Sequence, residues 1–295
     1  MYKYGIHSSF GETDWNFDLF RAVRRHADNG LDAIEIFVPT LMALPEREHA
    51  ELKALADACG IEMTFSTGLS KEHDLSSKDA SVRRRGIEYV KRVLETIAKM
   101  GGASFGGVNY AGWACKPEPG EFDRRPYVEN SMASMAELSK TAEDYGIDYV
   151  LEVVNRFETA IINTAAEGRA FVEAIGSPRL KLCLDTFHMN IEEPSFPDAI
   201  AAAGERLAVL HLGENDRRLP FAGSRTDWAA LYGALRSISF RGVMTIESFI
   251  TTGGEIGRDI GLYRDLTNGM NDRELDEALR RSVRFLKTFD GNDSE

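Results

Sequence analysis

Four ionisable residues each close a short apolar run: Glu152 in VLEVV, Asp185 in LKLCLD, His211 in LAVLH and Glu247 in VMTIE. A charge in such a place sits at the edge of a packed core, where leaving it unpaired is costly. Singly, each reads as well as a satisfied ion pair or a capping residue. Together they offer three carboxylates and one imidazole, a donor set for a hard or borderline divalent cation such as Mn²⁺, Mg²⁺ or Co²⁺, with manganese the first choice. Structural zinc would favour thiolates. A second layer of polar residues follows the same runs: Glu158 in NRFE, His188 in DTFH and Arg217 in GENDRR. The bland reading is loop solvation, above all for Arg217 beside Asp216 and Arg218. The sharper one is that they meet sugar hydroxyls, with His188 and Arg217 bringing positive charge to an anionic enediolate.

Elements that could position such a set follow from periodicity. Short β-rich runs alternate with longer segments of helical spacing, the order of a parallel sheet with helical crossovers. Strands are predicted at 4–7, 33–37, 61–66, 103–108, 148–153, 180–184, 207–211 and 243–247. Helices are predicted at about 16–29, 46–58, 77–100, 126–145, 164–175, 196–203 and 272–289, with Gly30, Gly60 and Gly146 at C-caps. Eight strand–helix units predict an α/β fold, a (β/α)8 TIM barrel forming a single domain over 1–295, with a flexible tail at about 290–295. In such a barrel the chemistry lies at the C-terminal strand ends. The four residues above end four consecutive strands, five to eight, and so surround one side of its mouth. An open doubly wound sheet would carry a glycine fingerprint after strand one, where this chain reads HSSFGETDW.

Composition narrows the function classes. A net charge of −12 argues against nucleic acid or an anionic membrane as the main partner, since both demand clustered Lys and Arg. No apolar stretch reaches the roughly 20 residues needed to cross a bilayer. The start, MYKYGIHSSF, lacks a basic segment followed by an apolar core, so a cytoplasmic location is expected. Cys59, Cys115 and Cys183 are widely spaced and odd in number, as for reduced thiols.

The stretches LEVVNRFE, INTAAEG, LDTFHMNIEE, HLGEN and TTGGEIGRDI with RDLTNG resemble the ketose 3-epimerases that act on D-tagatose, D-allulose (D-psicose) or L-ribulose. The likeness runs over essentially the whole chain. It implies that Glu152, Asp185, His211 and Glu247 bind one Mn²⁺ or Co²⁺ per subunit, and that Glu152 and Glu247 also exchange the substrate proton. It further implies that Glu158, His188 and Arg217 contact the sugar, and that the subunits assemble as homodimers or homotetramers. Two departures bear on specificity. Ser248 stands where many members have proline, and His7 stands where an aromatic often lines the pocket, with Ser66, Val108 and Trp113 as neighbours shaping it. The expected reaction is inversion at C3 of a free keto-sugar through a cis-enediolate, with the two glutamates as acid and base. The alternative is an aldose–ketose or hydroxypyruvate-type isomerase on the same barrel. A multi-zinc DNA-repair nuclease is disfavoured by the charge and by the few histidines at strand ends. A non-catalytic binding protein would not need both glutamates.

Overall fold

The computed structural model describes residues 2–291. Eight strands close in chain order into a barrel: β1 (Lys3–His7), β2 (Ala33–Phe37), β3 (Glu62–Leu69), β4 (Ser104–Gly112), β5 (Asp148–Val153), β6 (Leu180–Asp185), β7 (Leu207–Leu212) and β8 (Val243–Ile246). The crossovers carry α1 (Leu19–Asp28), α2 (Val38–Ala43), α3 (Glu46–Cys59), α4 (Ala80–Lys99), α5 (Arg125–Tyr145), α6 (Ala165–Ile175), α7 (Thr186–Glu192), α8 (Phe196–Ala203) and α9 (Trp228–Ser237), and α10 (Gly254–Asp259) and α11 (Asp272–Lys287) follow β8. This is the α/β barrel expected from the alternation of apolar runs.

Most strand bounds fall within a residue of expectation. The exceptions are β3 and β4, which run on to Leu69 and Gly112. Between them the register shifts at Gly68/Leu69, and pairing resumes beyond that irregularity, where glycine and polar residues break the apolar run. Four helices were not anticipated. α2, α7 and α10 are only 6 to 7 residues long, too short to show a helical period. The fourth, α9, is legible in retrospect: Asp227 accepts the Ala230 N–H as its N-cap, and Trp228, Leu231, Tyr232 and Leu235 are buried at helical spacing. α4 begins three residues later than expected because Asp79, not Ser77, is the cap, its side chain taking the Ser81 N–H. α3 and α5 end on Gly60 and Gly146, both left-handed, as predicted.

Cα proximity groups the chain into two compact units, residues 1–63 with 210–295, and residues 64–209. In the first, β1 pairs in parallel with β2 and β8. His7 lies opposite Glu35, and Ile6 opposite both Ile34 and Ile246. The Tyr4 hydroxyl lies 2.9 Å from that of Tyr232 and donates to Asp290. Asp290, the expected start of the flexible tail, is therefore tied to β1; the rest of that expectation, from Asn292, lies outside the described residues. In the second unit β3, β4, β5 and β6 pair in parallel, with Glu152 opposite Cys183. Phe105 packs edge-on against Tyr149 at 5.2 Å, and the Tyr149 hydroxyl donates to the Asn109 carbonyl at 2.6 Å. Among the described residues no disulfide joins Cys59, Cys115 or Cys183. Among the described residues no helix is long and apolar enough to cross a membrane.

Candidate functional site

In the unit spanning 64–209 the side chains at the ends of β5 and β6 are fixed by local bonds. Glu152 is buried, and its carbonyl accepts the Tyr110 hydroxyl at 2.9 Å. Asp185 is fully buried and serves as N-cap of α7, accepting the Phe187 N–H at 2.8 Å. Three residues on, the same short helix carries His188 on the same face. Its Nε2 lies 3.6 Å from the Asp185 carboxylate and 3.7 Å from that of Glu152. The backbone N–H of Asn155 donates to His188 Nδ1 at 3.3 Å, and the Asn155 amide nitrogen lies 2.7 Å from it. The Nδ1 side of the ring thus meets Asn155, and the Nε2 side meets the two carboxylates.

Glu158 is held by Trp113, whose indole N–H donates to Oε2 at 2.7 Å, and by the Asn155 amide at 3.4 Å. Asn155 also closes an Asx turn, taking the Phe157 N–H at 2.9 Å. Trp113 lies over Gly68, where a Cβ would stand 3.1 Å from the Trp113 side chain, so the missing side chain admits the indole. Ser66 and Val108 are buried in β3 and β4.

In the other unit the residues come from distant segments. Glu247 directly follows β8, and Arg217 Nη1 donates to its Oε2 at 2.8 Å. The Arg217 guanidinium also lies over the Phe249 ring at 5.4 Å. Arg217 has φ +69°, a left-handed conformation uncommon for a residue with a side chain. The turn that holds it has the Arg217 N–H donating to the Glu214 carbonyl and the Glu214 N–H to the Arg218 carbonyl, both at 2.9 Å. His211, 2 % exposed, sits with Nδ1 3.7 Å from Glu247 Oε2 and Nε2 3.2 Å from Glu35 Oε2. Burial opposes charge on Glu247, yet His211 and Arg217 outweigh it and hold the carboxyl well below the usual range. Glu35 is lowered too, with His211 again overcoming burial.

His7 lies between Phe37 at 5.9 Å and Phe249 at 5.8 Å, with Nδ1 2.7 Å from Ser9 Oγ. Burial lowers its pKa against the pull of Glu247 and Glu35, which keeps the ring neutral. Trp15 stacks on Phe37 at 4.5 Å and completes this aromatic wall. Ser248 is buried, and its hydroxyl has no hydrogen-bond partner among the described residues.

Glu152, Asp185, His211 and Glu247 form a mostly buried Glu/Asp/His group that could hold a metal ion. Its donors are three carboxylates and one imidazole. His7, Glu35 and Glu247 form a second such group, with ligand atoms all within 4.8 Å of one another. Sequence reasoning passed over Glu35, Asn155, Trp15, Phe37 and Phe249. Two of these had a signal: Glu35 is the one charge inside the apolar run AIEIF, and Asn155 stands two residues before Phe157, the spacing of an Asx turn. The aromatic wall had none, because its members meet only through the fold.

Comparison with known proteins agrees with this geometry. The model of the family described as "Xylose isomerase-like TIM barrel" matches residues 23–289. A D-psicose 3-epimerase of Agrobacterium fabrum is 38% identical over 286 residues, 97% of this chain and 98% of the relative. An L-ribulose 3-epimerase of a Methylomonas species is 34% identical, covering 97% and 96%. The crystal structure of D-psicose 3-epimerase from Clostridium cellulolyticum H10 with D-tagatose aligns with a TM-score of 0.94 at 35% identity, covering 98% of this chain and all of that one. The chain belongs to the xylose isomerase-like TIM-barrel family, among its ketose 3-epimerases, and is a carbohydrate epimerase of the isomerase class.

Proposed function

We propose that this enzyme inverts C3 of a free ketose, such as D-tagatose, D-fructose/D-allulose or L-ribulose, using one divalent cation, Mn²⁺ before Co²⁺ or Mg²⁺. Glu152, Asp185, His211 and Glu247 hold the cation. Support comes from their membership in one ion-capable group and from relatives named for D-psicose and L-ribulose. The uninterrupted family match over 23–289 supports treating the barrel as one domain.

When bound, the cation would polarise the C2 carbonyl and offset the charge that develops on the sugar oxygens. The chain's own residues move the proton. One glutamate takes the C3 proton from one face and leaves a cis-enediolate; the other returns a proton to the opposite face. Glu247, held ionised beside Arg217, is ready to act as the base, and Glu152 then acts as the acid; the reverse reaction exchanges the roles. Arg217 supplies positive charge near the enediolate. His188 donates to a sugar oxygen, while Glu158, oriented by Trp113 and Asn155, accepts from a hydroxyl. His7 presents a neutral ring to the far end of the sugar.

The observation that carries this reading is that two glutamates, not one, belong to the same ion-capable group, since binding a sugar would need neither. The test is a panel of D- and L-ketoses incubated with Mn²⁺-loaded protein, with products separated by chromatography. A second ketose differing only at C3 is expected. An aldose as the main product would make the enzyme an aldose–ketose isomerase, and binding without turnover would make it a binding protein.

A further inference from the structure

Glu35 is a carboxylate on β2, 2 % exposed, which the mechanism above leaves unused. Its place is set by the sheet: it lies opposite His7 in the β1–β2 register, and its carbonyl accepts the Ser8 N–H at 2.8 Å. Oε2 lies 3.2 Å from His211 Nε2, while Oε1 has no hydrogen-bond partner among the described residues. A carboxylate oxygen at that distance accepts from the imidazole nitrogen it faces, so Nε2 is the nitrogen that donates to Glu35. Nδ1 is the nitrogen on the Glu247 side, 3.7 Å from that carboxylate, and so the one that faces the other groups able to hold an ion.

We propose that Glu35 is a positioning residue which holds His211 as the Nε2–H tautomer, so that Nδ1 is the nitrogen presented to the cation. This rests on the reading of His211 as a metal ligand. The carboxylate fixes the ring's rotation and raises the basicity of Nδ1, the effect an outer carboxylate has on a ligating imidazole. Because Glu35 acts through His211, its removal should matter only while His211 is present. Glu35 also belongs to the second ion-capable group with His7 and Glu247, which would make it the ligand of another ion. The engagement of Oε2 with His211 favours the positioning role.

The test uses full-length protein stripped of metal and titrated with Mn²⁺, with the bound ions counted. Glu35→Leu should weaken Mn²⁺ binding roughly 10- to 100-fold, the range measured when such outer partners are lost. Glu35→Gln, which keeps an acceptor without the charge, should lose less. The unfolding midpoint of metal-free Glu35→Gln serves as the check that the fold survives. Co²⁺-loaded Glu35→Gln should show a changed visible spectrum. Glu35→Leu added to His211→Gln should bind no more weakly than His211→Gln alone. Wild-type affinity in both Glu35 variants would overturn the proposal, as would losses that add in the double variant or a count of two ions falling to one. Unchanged affinity in His211→Gln would instead sink the metal reading beneath it.

Discussion

The strand ends of the two units hold their polar groups by different means. At the ends of β5 and β6, His188 is fixed by Asn155, 33 residues away, and Asp185 is fixed by the helix it caps, two residues on. At the ends of β1, β2, β7 and β8, His211 meets Glu35 across 176 residues and Arg217 meets Glu247 across 30. Their electrostatics differ as well. The first sets an imidazole beside two carboxylates, and the second pairs its glutamate with a guanidinium. Loops that follow β4 and β5 orient Glu158 and His188 in the first, while in the second β2 meets β7 through Glu35 and His211.

The largest effect should come from the glutamates, one in each half. Glu152→Gln and Glu247→Gln should each lower kcat on the order of 1000-fold with metal bound, as expected on losing a general acid or base. Near-normal turnover in either would leave the two halves unequal partners and end the two-base scheme. Next in size, Asp185→Asn should weaken Mn²⁺ binding more than the roughly 10- to 100-fold expected for Glu35, while leaving α7 in place because asparagine also caps. Circular dichroism alongside calorimetric titration separates the two effects.

A pH test bears on the second half's own unit, where burial, with Arg25 and His7, lowers His26 to about 3. Unfolded, the same ring titrates near 6.5 and binds a proton that the folded form refuses. Stability should therefore fall as pH drops from about 6.5 toward 3, by at most about 1.4 kcal/mol per pH unit. His26→Leu should flatten that slope in thermal unfolding of the metal-free protein, and an unchanged slope would assign it to other groups. The smallest effect is expected from Trp113→Phe, which removes the indole N–H from Glu158. KM should rise several-fold with kcat nearly kept, as for one hydrogen bond to a charged group.

Legibility in the sequence follows the same division. The barrel and the four strand-end residues could be read because parallel strands appear as apolar runs, and a charge ending each run stands out. DTFH was legible as well, since cap and imidazole share one helical turn. Glu35 was missed although it interrupts AIEIF, because its partner His211 is set by closure of the barrel and not by spacing. The contact of Asn155 with His188 Nδ1 was not legible, because it joins the loop after β5 to the helix after β6. The wall of Trp15, Phe37 and Phe249 joins the loop after β1, the end of β2 and the segment after β8, and no local pattern marks it.

The most direct test of the whole scheme is ketose turnover measured against the number of Mn²⁺ ions bound per chain in EDTA-stripped protein. Turnover to a C3-inverted ketose should be absent at zero, rise in proportion to bound ion and level off at one per chain. Full activity in rigorously metal-free protein would contradict it.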